Sequence, residues 1–183
     1  MRKYILKIST GKAVLFLFVL TNIVYAIMLA FSIPHVVAFG GGMKLLDMLP
    51  VGYELEYVQE LFTALGEEGR NAYLSIQLPI DMLYPILFAI SYCFLLAWLL
   101  QKINKQHSWL FYLCYLPLIA GAADYLENIG IITLLNQFPD LTQQSVQITS
   151  LFSVVKSSTT SVYFFVVLIV LILSAWYRLS KRK

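Results

Sequence analysis

Three carboxylates and one amine lie within stretches of the chain that are otherwise apolar enough to cross a lipid bilayer: Asp81, Asp124, Glu127 and Lys156. A charge at the centre of a bilayer costs about 3 kcal/mol or more, so such side chains usually face a protein interior and mark function. One amine leaves at least one carboxyl without a counter-charge, and that carboxyl must hold a proton or a cation. A group of this kind can act as a general acid or a proton relay. We therefore predict these four residues as catalytic, with Asp81 and Glu127 as the acid–base candidates.

Helical spacing places other polar residues on the same helix face as these four. At 100° per residue, Gln77 and Tyr84 fall within about 60° of Asp81 on one helix face. Counting 1.5 Å per residue from the predicted helix ends places all four ionisable residues in one layer, roughly 12–17 Å deep. The candidate ligand-binding residues on these polar faces are Asn22, Tyr25, Arg70, Gln77, Tyr84, Asn128 and Thr160.

The elements that must position these residues are membrane-spanning helices. Of the 183 residues, 60% are hydrophobic and 13% are charged, about half the charged fraction of a soluble domain. Four apolar runs, at about 13–39, 71–100, 108–135 and 147–177, each reach the ~20 residues that a spanning helix needs. Because the links at 101–107 and 136–146 are short, we predict an all-α integral membrane protein, one domain over 1–183, built as an antiparallel four-helix bundle.

The distribution of charge predicts the orientation. Basic residues concentrate before the first run, between the second and third, and after the fourth: Arg2, Lys3, Lys7, Lys12, Lys102, Lys105, Arg178, Lys181, Arg182 and Lys183. Positive charge stays on the cytoplasmic side, so both termini are expected there in a multi-pass cell-membrane protein. The net charge of +3 follows from this topology and does not predict a nucleic-acid partner.

The segment between the first two runs, about 43–69, is predicted to lie outside. Pro34 and the three glycines at 40–42 are expected to end or kink the first helix. An apolar helical face follows, flanked by glutamates: Tyr57, Val58, Leu61, Phe62 and Leu65. Helices that bind anionic lipid carry basic residues instead. We interpret this segment as a cap across the bundle mouth, and an ordinary connecting helix explains the pattern equally well.

Metal and thiol chemistry receive little support. The three carboxylates suit Mg²⁺ or Ca²⁺, but Lys156 opposes a cation, and we predict no cofactor. His35 and His107 fall at opposite faces and cannot converge on zinc. Cys93 and Cys114 form no C-x-x-C pair and are interpreted as small buried apolar residues.

Two classes of function remain from the sequence, together with a structural one. The first is a site that binds a small polar or lipid-like ligand from the outer side, with acid–base catalysis. The second is a proton or cation transporter or channel subunit, either alone or as a homo-oligomer. The third is a structural subunit of a larger membrane complex, with the acidic outer segment as its docking surface. For the ionisable cluster itself, the alternative to a functional site is a structural ion pair of Lys156 with Asp124 or Glu127 that fixes helix register.

Overall fold

The computed structural model describes residues 1–180, with side chains described throughout except at positions 176–178 and 180. The side chain of Arg178 and the residues Lys181, Arg182 and Lys183, used above to predict orientation, therefore lie outside the described part. Residues 1–180 contain helices and no strands. The α-helices are α1 (Arg2–Ile8), α2 (Gly11–Ile27), α3 (Ile33–Phe39), α4 (Leu55–Ala72), α5 (Leu78–Lys102), α6 (Leu116–Gln137) and α7 (Gln143–Ser180).

Four helical segments are long and apolar enough to cross a membrane: Gly11–Phe39, Leu55–Lys102, Trp109–Gln137 and Gln143–Ala175. Each overlaps one of the four apolar runs predicted from the sequence. The second segment is much longer than its run because α4, expected as part of a separate outer cap, continues into α5. The third begins with a 3₁₀ segment, Trp109–Tyr115, before α6.

Pro34 does not end the first long segment. A π turn, Met28–Ser32, joins α2 to α3, and Pro34 occupies the first turn of α3. Proline is tolerated in the first turn of a helix because a backbone N–H at that position would have no hydrogen-bond partner. The helix ends instead at the glycine run, where Gly41 and Gly42 have φ values of 61° and 90°.

The apolar face predicted for α4 is confirmed by burial of Val58, Leu61, Phe62 and Leu65. The helix breaks once, at Gly66, whose φ of 63° favours glycine. After this break α4 runs through a second π turn, Tyr73–Gln77, directly into α5.

The long segments pack side by side in chain order: α2 against α5, α5 against α6, and α6 against α7. Gly121 permits the α5–α6 contact, since a Cβ there would lie 2.8 Å from the carbonyl oxygen of Pro85. Two apolar cores result. One surrounds Phe62 and Tyr73 at the end that holds the 3₁₀ turn Leu46–Met48, named the Asp47 end below. The other surrounds Phe111 and Tyr163 at the opposite end, named the Arg2 end.

Candidate ligand-binding site

A cavity of about 450 Å³ lies between the two apolar cores. This volume is within the range of small-molecule sites, roughly 300–1,000 Å³. Its walls come from the first long segment, α5, α6 and α7, and the turn Leu46–Met48 forms its roof. The lining residues are Tyr25, Met28, Leu29, Ile33, Asp47, Met48, Pro50, Asp81, Tyr84, Phe88, Ala120, Asp124, Lys156, Ser157, Thr160 and Ser161.

Lys156 lies at the centre of a cluster of ionisable side chains beside this cavity. Its ammonium lies 3.2 Å from a carboxylate oxygen of Asp124 and forms a second ion pair with Glu127. Glu127 is fully buried, and its other oxygen accepts a hydrogen bond from the Ser153 hydroxyl. The structure therefore brings together three of the four ionisable residues that helical depth placed in one layer.

Asp47 joins the cluster from the roof. Its backbone carbonyl accepts a hydrogen bond from the Lys156 ammonium at 3.4 Å. Its carboxylate accepts from the Tyr73 hydroxyl at 2.5 Å and from the Gln77 amide at 3.2 Å. The Gln77 carbonyl in turn accepts from Ser32 at 2.5 Å, which links the two π turns.

Sequence reasoning missed Asp47, which falls in the segment, about 43–69, that was predicted to lie outside. A signal was present in the run Leu45-Leu46-Asp47-Met48-Leu49, where one acid is flanked by four apolar residues. Leu45 and Leu46 are fully buried, and they carry the Asp47 carboxylate inward with them.

The chain that follows the roof is held against α7. The Tyr53 N–H donates to the Ser150 hydroxyl at 2.8 Å. Burial raises the pKa of the Tyr53 hydroxyl far above its usual range, and the nearby charge of Glu127 raises it further. Tyr53 therefore stays a neutral phenol beside the ion cluster.

Asp81 differs from the other acids. Asp81 is only 3% exposed and lines the cavity. Its carboxyl nevertheless forms no hydrogen bond or ion pair with any residue in the described part of the chain. Four carboxyls, from Asp47, Asp81, Asp124 and Glu127, thus surround one amine. Asp81 is the acid that this amine and its neighbours leave unpaired.

An aromatic wall stands next to Asp81. The rings of Tyr84 and Tyr25 stack with centroids 5.4 Å apart, and Phe88 lies 5.8 Å from Tyr84. Thr160, one turn from Lys156, faces the same cavity. Three of the predicted ligand-binding residues, Tyr25, Tyr84 and Thr160, therefore line one space with Asp81.

The other predicted ligand-binding residues lie away from the cavity wall. Asn22 donates to the Phe18 carbonyl on its own helix. Arg70 donates to the Phe62 carbonyl at 2.7 Å, and its guanidinium lies over the ring of Phe138. Gln77 reaches the site only through Asp47.

Asn128 is fully buried, and neither atom of its side-chain amide has a hydrogen-bond partner within the described residues. It is not among the residues that line the cavity.

No group of three or more His, Cys, Asp or Glu side chains within residues 1–180 is arranged to hold a metal ion. The Lys156 ammonium takes the position between Asp124 and Glu127 that a cation would otherwise occupy. Mg²⁺ or Ca²⁺ would have to displace it.

Comparison with known proteins gives no match: no family model fits the chain, and no curated protein or solved structure is similar to it. The geometry of the cavity is therefore the basis for a functional proposal.

Proposed function

We propose that the chain is a multi-pass cell-membrane protein that binds a small polar or lipid-like ligand from the outer side, in the cavity beneath Leu46–Met48. In this proposal the four long segments form an antiparallel bundle with both termini in the cytoplasm, and the Asp47 end faces outward. Asp81 exchanges a proton with the ligand, and Lys156 holds Asp124, Glu127 and the roof in place around it. The observation that carries the proposal is the unpaired carboxyl of Asp81, buried at the wall of the cavity.

A buried carboxyl without a partner is costly and marks a functional site in a membrane-spanning helix. A purely structural ion pair accounts for Lys156 with Asp124 and Glu127, but it leaves Asp81 unexplained. The two π turns support the same interpretation, because such turns occur frequently at functional sites. One lines the cavity through Met28 and Leu29, and the other contacts the roof through the Gln77–Asp47 hydrogen bond.

The shape of the cavity favours a ligand with an apolar part. Leu29 on the first long segment is 48% exposed and Tyr25 is 42% exposed, and both also line the cavity. Ser161 on α7 is exposed as well. The cavity therefore has a side facing the bilayer between the first and last segments, through which a lipid-like molecule can enter.

Transport is the weaker proposal because the Arg2 end of the bundle is filled. Below the cavity, Tyr92 packs against Phe88 with ring centroids 4.6 Å apart and against Tyr163 at 5.8 Å. The Tyr163 hydroxyl donates to the Tyr92 carbonyl at 2.6 Å. This packing supports a cavity closed toward the cytoplasm and opposes a continuous path.

The test is to fill the cavity and identify what the protein no longer retains. Ala120→Phe and Ser157→Phe each place a ring in the cavity, whereas Ala122→Phe and Ser158→Phe place it on exposed surface of the same two helices. Proteins purified in nanodiscs would be compared by mass spectrometry of extracted small molecules and lipids.

We expect one class of compound to remain with the wild type and both surface variants and to be lost from both cavity variants. Identical compounds in all five proteins would refute the proposed site. Thermal unfolding of each variant identifies any that fail to fold, and the second cavity variant keeps the test decisive.

A further inference from the structure

We propose that the ligand is an amphiphile whose headgroup is a positively charged amine, and that its ammonium pairs with Asp81. This inference rests on the proposed function and names the chemical class of molecule that the cavity accepts. The balance of charge, the aromatic wall and the apolar lining support it.

The balance of charge opposes an anionic headgroup. Four carboxyls face or adjoin the cavity against one amine, and the Lys156 ammonium is already shared between Asp124 and Glu127. A phosphate or carboxylate headgroup would meet unpaired negative charge with no free cation to hold it. An ammonium would instead supply the partner that Asp81 lacks, and a buried charge requires one.

The neighbours of Asp81 also fit a cation. Tyr84 lies three residues on along α5, so its ring stands on the same helix face. Tyr25 and Phe88 pack against that ring, and all three line the cavity. Aromatic faces attract an ammonium by cation–π interaction, most strongly where water is excluded. Asp81 and this aromatic wall together form an anionic site with apolar sides.

Another portion of the cavity suits a hydrocarbon chain. Met28, Leu29, Ile33 and Met48 line it, at the first segment and the roof. Because Leu29 is also exposed at the side of the molecule, a chain whose headgroup reaches Asp81 can extend past this residue into the bilayer. The ligand is thus amphiphilic, with its charged end deep and its apolar end toward lipid.

The test compares three probes that share a twelve-carbon chain: dodecylamine, dodecanol and dodecanoate. Each would be titrated at pH 7 into the full-length protein in nanodiscs, and the midpoint of thermal unfolding, Tm, would be followed. A molecule that binds only the folded protein raises Tm with concentration. We expect dodecylamine to raise Tm of the wild type and the other two probes to leave it unchanged.

Asp81→Asn keeps the size of the side chain and removes its charge. We expect it to weaken the apparent affinity for dodecylamine at least about tenfold. Asp140→Asn, an equal change at an exposed position, should behave as the wild type. If Asp81→Asn fails to fold, Tyr84→Leu removes an aromatic wall residue and should weaken dodecylamine binding several-fold.

Three results would overturn the inference and separate it from the proposed function. If dodecanol or dodecanoate raises Tm more than dodecylamine and Ala120→Phe abolishes that effect, the cavity binds ligands but does not select cations. If no probe changes Tm, the cationic class is wrong. If dodecylamine acts equally on wild type and Asp81→Asn, its ammonium does not pair with Asp81. The compounds retained in the cavity-filling experiment then still decide the proposed function.

Discussion

The Lys156 ammonium donates a hydrogen bond to the backbone carbonyl of Asp47, 3.4 Å away and 109 positions distant in the sequence. The same ammonium pairs with Asp124 and Glu127 on α6. One side chain therefore connects α7, α6 and the roof of the cavity. Loss of this amine would affect the ion cluster and the roof together.

Lys156→Met tests this connection. It leaves Asp124 and Glu127 buried without a cation, and breaking a buried pair in this way costs about 3–5 kcal/mol. We expect the free energy of unfolding to fall by that amount. Lys105→Met, which removes an exposed amine, should change it by less than about 0.5 kcal/mol. Chemical unfolding in detergent micelles measures both, and equal stability of the two variants would contradict the role assigned to Lys156.

The double variant Asp124→Asn with Lys156→Met distinguishes a functional cluster from an ion pair that only holds the helices together. Removing both charges of the Lys156–Asp124 pair is less costly than removing the amine alone, and only Glu127 then stays buried without its cation. We expect the double variant to recover part of the stability lost in Lys156→Met and to lose the compounds that the wild type retains. A double variant that is more stable than wild type and retains the same compounds would show that the cluster is only a structural ion pair.

Asp47→Ala tests the roof. The substitution removes the acceptor of two hydrogen bonds and leaves the Tyr73 hydroxyl and the Gln77 amide unpaired. An unsatisfied buried group costs about 1–3 kcal/mol. We expect faster hydrogen exchange of backbone amides in Leu46–Met48 and a loss of stability in this range. Glu56→Ala, at an exposed position on α4, is the control, and unchanged exchange in Asp47→Ala would contradict the assigned contacts.

Gly121→Val tests the close contact of α5 with α6. A Cβ at this position would lie 2.8 Å from the Pro85 carbonyl oxygen and 3.0 Å from the Cβ of Ala89. Overpacking of this kind costs about 1–3 kcal/mol. Thermal unfolding should show the loss in Gly121→Val and not in Ala122→Val, whose side chain is exposed. Equal stability would mean that the two helices have room to separate.

Gly66→Ala tests the break in α4 through the backbone alone. The φ of 63° is strained for a residue with a Cβ, and no atom lies within 4 Å of the position that this Cβ would take. We expect a cost of about 1–2 kcal/mol from backbone conformation. Gly66→Asn should cost less, because asparagine adopts this conformation more readily. A stable Gly66→Ala protein would indicate a continuous helix.

The sequence was sufficient to predict the long helices and the meeting of Asp124, Glu127 and Lys156. Apolar runs of more than 20 residues and a constant helical rise determine these features without any tertiary information. Roles for the site residues remain predictions, since depth along a helix does not reveal what a side chain binds.

Arg70 and Asp47 show where the same reasoning could not succeed. Arg70 was placed on the face of Asp81 by counting 3.6 residues per turn, but the π turn Tyr73–Gln77 interrupts that count. Asp47 lies in a short irregular segment whose path depends on tertiary contacts. Helical periodicity carries no information on such a segment. Only the apolar residues on either side of Asp47 in the sequence indicated that it is drawn inward.

The two π turns, Met28–Ser32 and Tyr73–Gln77, meet through the hydrogen bond between Ser32 and Gln77. Each is equivalent to an α-helix with one residue inserted, which advances the helix by about 100°. Deleting one exposed residue from a single turn, such as Ser75, would therefore rotate the preceding helix relative to the cavity. Two single-residue insertions therefore set which face each of the two helices turns toward the cavity. Length variants of this protein should tolerate changes in these turns only in pairs.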